Sequence, residues 1–243
     1  MSADIIVERL FETLVAGDRP ATRALINEQH ASGATPEVLI TDLYWPTYEL
    51  IEKLHREDQI TSMAYGFATR LLRAVVDQTA GVLVRTSTQP SRNRSVLAFC
   101  AATEGGDLGS QMAVDLMEAE GFAVRFAGGG VPVDEIQSSV QNDRPDHLVL
   151  FCSDPADLPN IRQLIDNLHE MGCCPGTQVV VGGGVFNRAE GLAEEIGADL
   201  WAEDPLELAH AMIHEPEQRA PADQRTVGRN RPVMPVTAET KAA

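Results

Sequence analysis

Over residues 3 to 80 the apolar positions return at helical spacing. Ile6, Leu10 and Leu14 line one face of a first helix that stops at Ala16-Gly17. Asp18 can cap a second helix with Pro20 in its first turn, running to Ser32-Gly33. Thr35-Pro36-Glu37 opens a third, which carries Leu39, Leu43, Leu50, Ile51 and Leu54 and should kink at Pro46. Met63, Phe67, Leu71 and Val75 repeat four apart after Thr61-Ser62, giving a fourth helix. Four amphipathic helices joined by short loops predict a helical bundle over 1–80.

The stretch "GVLVRTSTQPSRNRS" loses that period and reads as a linker over 81–94. From Ser95 on, short apolar runs take over at 96–100, 122–126, 148–152 and 179–181, with a weaker one at 199–201. Helical segments near 109–120, 133–142, 156–171, 188–196 and 205–213 separate or follow them. Strands alternating with helices predict a parallel sheet covered on both faces, here over 95–214. Residues 215–243, rich in Pro, Arg, Glu and Thr with little to bury, read as a flexible tail.

Composition narrows the function classes. With 243 residues, 44% of them hydrophobic, the chain can bury one sizeable core or two modest ones. A formal net charge of -17 makes direct binding to nucleic acid or an anionic membrane unfavourable, the run Arg85 to Arg94 being the best candidate for a local basic patch. The N-terminal "MSADIIVERLFETL" has neither the positive leader nor the apolar core of an export signal, and no run is long enough for a transmembrane helix. Cys100, Cys152, Cys173 and Cys174 show no disulfide-framework spacing. A chain of the reducing cytoplasm is expected.

Candidate chemistry gathers where strands should end. Thr103 to Gly109 follows the first strand, Gly128-Gly129-Gly130 the second, Ser153-Asp154-Pro155 the third and Gly182-Gly183-Gly184 the fourth. A doubly wound sheet brings several such turns to one edge, where open α/β sheets bind ligands. Tight turns alone would also use these glycines. "GGDLG" misses the dinucleotide spacing, and no lysine follows any turn as a phosphate loop requires. His169, Cys173 and Cys174 lack a partner pair with metal-site spacing. "FCSDP" lacks a nucleophile-elbow frame. Glu104 and Asp107 form the one carboxylate pair near a turn, and no complete catalytic set emerges, so an enzyme is not the expected class.

The order of elements resembles the cobalamin-binding family, in which a methionine-synthase-like four-helix cap precedes a flavodoxin-like (Rossmann-like) module. "LVAGDRPATRALINEQHASGATPEVLITDLYWPTYELIEKLHREDQIT" is similar to the cap, and "LGSQMAVDLMEAEGFAVRFAGGGVPVDEI" to the segment after the cofactor loop. "VVVGGGVFNRAEGLAEEIGADLWAEDPLELAHAM" is similar to the last third. The resemblance implies an α/β fold, with a doubly wound parallel five-stranded sheet behind the bundle. It also implies cobalamin or a related tetrapyrrole as cofactor.

The family signature D-x-H-x-x-G supplies cobalt with a lower histidine, whose partner carboxylate tunes the metal. The same register here reads Glu104-Gly105-Gly106-Asp107-Leu108-Gly109. Gly106 stands at the histidine position, so the resemblance implies a site without that ligand. It further implies that Ser153, Gly182 and Gly183 line the cleft for the nucleotide tail. Tyr44, Trp45, Tyr48 and Tyr65 are the aromatic residues available to cover the upper face. The Trp and Glu-His pattern of light-sensing relatives is not matched, with Ala64-Tyr65 in that region.

Three functions follow from this reading. The first is a regulatory or sensor protein that binds a tetrapyrrole without the histidine ligand, or keeps the fold for interaction alone, and acts through a protein partner. The second is a corrinoid methyl carrier for a separate methyltransferase. The third is a small enzyme built on Glu104 and Asp107. A homo-oligomer is possible in each.

Overall fold

A computed structural model describes residues 3–83, 94–101, 107–172 and 174–221. The N-terminal third folds as expected from its caps. Helix α1 spans Ala3–Val15 and buries Leu10 and Leu14, and Gly17 turns the chain out with φ +69°. The Asp18 carboxylate accepts the Ala21 N–H at 3.0 Å and starts α2, Arg19–Ala31. Thr35 caps α3, Pro36–Leu39, by accepting the Val38 N–H, and Thr61 does the same for Ala64 at the start of α5, Ser62–Ala80.

Between α3 and α4, Trp45–Arg56, the helix widens into a π turn over Ile40–Tyr44. Pro46 has no N–H to give the Asp42 carbonyl, and the Trp45 N–H bonds one residue further back, to Ile40. The kink expected at Pro46 is therefore this π turn. Tyr44 is fully buried, and its hydroxyl pairs with the buried Thr79 hydroxyl at 3.1 Å, tying the bent helix to α5. Two positions expected on the inner face of α5 point out: Met63 is 69% and Phe67 44% exposed. Ala68, Leu71, Leu72, Val75 and Val76 form the buried face instead.

The α/β part is a five-stranded, wholly parallel sheet in the order β2-β1-β3-β4-β5. Its strands are β1 Ser95–Cys100, β2 Ala123–Phe126, β3 His147–Phe151, β4 Gln178–Gly182 and β5 Leu200–Trp201. Alternate residues serve opposite faces. Val96, Ala98, Val149 and Val180 pack under α6 (Asp107–Ala119) and α11 (Pro205–His214). Leu97, Phe99, Leu148 and Val181 pack under α7 (Val133–Asp143) and α8 (Leu158–Met171). Of the single helix expected over 188–196 only α10, Leu192–Glu195, forms, and a separate short helix, α9 Gly184–Asn187, precedes it. Gly191, at φ +77°, breaks the run between them.

Helix α6 belongs to both halves. Leu108, Met112 and Leu116 complete the core of the bundle, whereas Ala113, Val114 and Met117 lie on the sheet. This strip seats the cap beside the C-terminal ends of the strands.

At the opposite edge the chain is closed by polar ties. The Asp146 carboxylate accepts from the Ser95 N–H and hydroxyl at 2.7 and 2.8 Å. Gln178 donates its amide N–H to the carbonyls of Glu215 and Gln218, and Ala220 N–H reaches Asp199 at 2.8 Å. Residues 215–221 are thus fixed against the sheet rather than free from 215 on. Most of the expected linker, 84–93, and residues 222–243 of the expected tail lie outside the described residues.

Candidate functional site

Strands β1, β3 and β4 end side by side. The Ala101 N–H bonds the Phe151 carbonyl at 2.8 Å, and the Cys152 N–H bonds the Gly182 carbonyl at 2.9 Å, so the turns after them leave from one line. Gly183 follows β4 at φ +109°, and a Cβ there would collide with the Cys152 carbonyl. Only glycine can run this close to the neighbouring strand.

Above this edge lies the cap helix α4. Its positions 45, 48/49, 52 and 55/56 advance by three and four, so one face of the helix looks down on the strand ends. Trp45 and Tyr48 meet α6 at Gly109, where a Cβ would stand 2.8 Å from Tyr48 Cε1 and 3.3 Å from the Trp45 ring. The two rings are tilted against each other, centroids 5.7 Å apart. Burial, with Glu52 close by, pushes the Tyr48 hydroxyl well above the usual tyrosine range, so it stays a neutral phenol.

Two cavities follow from this packing. A narrow cleft of about 40 Å³ runs between the Trp45 and Tyr48 rings and an edge of Gly109, Ser153, Gly182 and Gly183. It has room for water-sized groups only. Beside it opens a cleft of about 560 Å³, within the range of cofactor sites. Trp45, Tyr48, Glu52 and Tyr65 form its cap wall, and Ser153, Asp154 and Arg188 part of its floor. The Tyr65 hydroxyl donates to Glu52 Oε1 at 2.7 Å, and its ring stacks on His55 with centroids 4.0 Å apart. Burial raises Glu52 above the ordinary carboxylate range, although the Tyr65 hydroxyl opposes this.

Eight of the eleven residues singled out in the sequence are described. Trp45, Tyr48, Gly109, Ser153, Gly182 and Gly183 come together around the narrow cleft, and Tyr65 joins Trp45, Tyr48 and Ser153 in the wide one. Asp107 lines neither, its carboxylate accepting from Arg73 of α5 at 3.1 Å. Tyr44, weighed with the other aromatics, lies in the bundle core instead. Glu104, Gly105 and Gly106 fall outside the described residues.

Sequence reasoning missed the polar lining, namely Glu49, Glu52, His55, Arg56, Asn187 and Arg188. The spacing along α4 from Trp45 could have found the first four. Nothing in the sequence pointed to Arg188, which leaves the end of a four-residue helix. Burial pushes the thiols of Cys100 and Cys152, at the ends of β1 and β3, up to about 11 and about 12, which favours their neutral form. Among the described residues no helix is long and apolar enough to cross a membrane.

Two family models match the chain, each described as a B12 binding domain, one over residues 6–79 and the other over 94–209. Dimethylamine corrinoid protein 1 of Methanosarcina acetivorans is 27% identical over 146 residues, 58% of this chain and 68% of that protein. Dimethylamine corrinoid protein 3 of Methanosarcina mazei is also 27% identical over 146 residues, 86% of its own length. The solved structure of the Methanosarcina barkeri monomethylamine corrinoid protein superposes with a TM-score of 0.72 at 19% identity, covering 87% of this chain and 99% of that one.

Proposed function

Since the chain belongs to the B12-binding domain family, we propose that it is a corrinoid methyl carrier serving a separate methyltransferase. The observation that carries this reading is the wide cleft between a B12-type cap and the glycine edge of a B12-type sheet. The relatives named as methylamine corrinoid proteins support a carrier over the sensor role first expected.

The residues present fit a corrinoid. Gly109 and Gly183 leave out side chains that would close the edge, and the 560 Å³ cleft offers an aromatic wall above it. When bound, the corrinoid supplies a cobalt that takes up a methyl group and gives it away. Trp45, Tyr48 and Tyr65 then cover the upper face and exclude water. Ser153, Gly182, Gly183 and Gly109 border the nucleotide tail, which requires the Trp45 and Tyr48 rings to draw back from Gly109. By the family resemblance, Glu104, Gly105 and Gly106 are the residues that would meet the lower side of the corrinoid. Gly106 has no side chain to offer, so the histidine of the family signature would have no counterpart at this position. Asp107 accepts from Arg73 at the start of α6, outside the lining of either cleft.

The test is gel filtration of the apoprotein mixed with hydroxocobalamin, followed by visible absorption and by reduction in the presence of a methyl donor. A stoichiometric chromophore that survives reduction and accepts the methyl group supports a carrier. A retained chromophore that does not accept it points to the sensor reading, and no chromophore rejects both.

A further inference from the structure

The wide cleft holds two guanidinium groups, Arg56 from the cap and Arg188 from the end of α9, on opposite walls. Arg188 is fixed: one amino group donates to the Ser153 carbonyl at 2.7 Å, and the other lies 2.7 Å from where a Cβ on Gly184 would stand. Arg56 has Glu52 at 4.0 Å, outside hydrogen-bond distance.

The carboxylates nearby are otherwise engaged. Glu52 accepts from Tyr65, and Asp154 accepts the Ala156 N–H at 2.8 Å. Burial raises Glu49 above the usual carboxylate range, with Asp204 adding to this and Arg56 opposing it. Both arginines are exposed residues that border the same cleft, and among the described residues neither has a short ion pair. Burial and then the charge of Arg56 lower the Arg188 guanidinium from its usual value, so the neighbouring acids do not offset the cost of holding it there. Like charges kept together at a cleft are the arrangement in which a bound anion gains most.

We infer that Arg56 and Arg188 clamp an oxyanion carried on the periphery of the bound corrinoid, either a phosphodiester or a carboxylate. The inference rests on the corrinoid reading above and adds the charge class of the ligand. Guanidinium suits this task because its planar fork pairs with both groups in two-point contacts.

The experiment measures dissociation constants by visible-absorption titration for three probes. Hydroxocobalamin carries the phosphodiester and amides, cobinamide the amides without the phosphodiester, and cobyrinic acid free carboxylates without it. Each is titrated into the wild type and into Arg56→Gln, Arg188→Gln and the double variant, with thermal melts as a folding control. A loss of about tenfold or more for cobalamin in the double variant, with cobinamide unchanged, assigns the phosphodiester. The same loss confined to cobyrinic acid assigns the carboxylate. Equal affinities for wild type and double variant with all three probes overturn the clamp and leave the corrinoid reading standing. If no probe binds the wild type, both fall. Should a variant unfold, salt titration of the wild type decides. Added salt must weaken the anionic probe more than cobinamide, and equal weakening overturns the clamp.

Discussion

The two ends of the same sheet are built differently. At the N-terminal end, side chains seal the strands to one another and to residues 215–221, through Asp146 with Ser95, Thr177 with the Pro145 carbonyl, and Gln178 with Glu215. At the C-terminal end the strands finish in glycines and buried thiols, and what closes them is the cap resting on α6. One end is held by hydrogen bonds that need exact partners, the other by apolar contact that can slide. A protein that must admit a large flat ligand keeps its movable contact where the ligand enters and its fixed contacts at the far end.

The largest effect should come from the one rigid point of the open end. Gly183→Ala places a Cβ against the Cys152 backbone and forces a φ of +109° on an L side chain. We expect a loss of about 3 kcal/mol or more, read from chemical denaturation. A change below about 1 kcal/mol would mean that this edge, too, can slide.

Gly109→Ala tests the movable contact. Its Cβ meets the Tyr48 ring at 2.8 Å, and the ring can yield because α4 is not anchored to α6 by any described hydrogen bond at this point. A loss of about 1–3 kcal/mol is expected, together with easier proteolysis between cap and sheet. Equal stability and unchanged proteolysis would show that the rings already stand clear in solution.

The sealed end can be broken by acid. Gln178 uses its amide N–H groups on Glu215 and Gln218, so its Oε1 faces His147 Nδ1, 2.9 Å away, and must accept. His147 is then neutral with its proton on Nδ1, and its buried Nε2 has no partner among the described residues. Burial, helped by Arg94, lowers its pKa to about 4. The unfolded chain binds this proton near pH 6.5 and the folded one near 4, so stability falls as pH drops through that window. Asp115 on α6 does the reverse. Burial raises it to about 6, the folded state keeps a proton that the unfolded one releases near 3.8, and stability falls as pH rises between the two. His147→Asn should remove the acid loss, on the order of 1–3 kcal/mol, and Asp115→Asn the opposing one. Denaturation midpoints from pH 4 to 7 read both. An unchanged profile in His147→Asn would place the sensitivity elsewhere.

The same contrast governs what the sequence could show. Caps at Asp18, Thr35, Thr61 and Asp204 act within a few residues, and the helices they start were legible. The apolar runs of β1, β3 and β4 were legible because burial on both faces leaves few polar positions in them, whereas β2, at the sheet edge, carries Arg125. Tyr44 and Tyr48 show the limit. Their spacing is the same as any helical pair, yet one reaches Thr79 and the other Gly109. Spacing gives the face of a helix, whereas the neighbour it meets is set by how α6 crosses the cap. Arg188 was illegible for a related reason. It caps the short helix α9 at a position where a new helix was expected to begin, and its partner is the Ser153 carbonyl of another turn.

The smallest effect concerns the ion pair between Arg73 of the cap and Asp107 at the start of α6. Arg73 and Asp107 are 3.1 Å apart, but each side chain is about two-fifths exposed, at 39% and 42%. Water screens such a pair, and its worth is about 0–1 kcal/mol. Arg73→Gln should therefore leave the melting temperature nearly unchanged, whereas Met112→Ala, which empties the strip of α6 under the cap, should cost about 2–5 kcal/mol. If Arg73→Gln instead costs as much as Met112→Ala, the cap is latched by charge. Opening would then respond to salt, and the open end would be held by the same kind of contact as the sealed one.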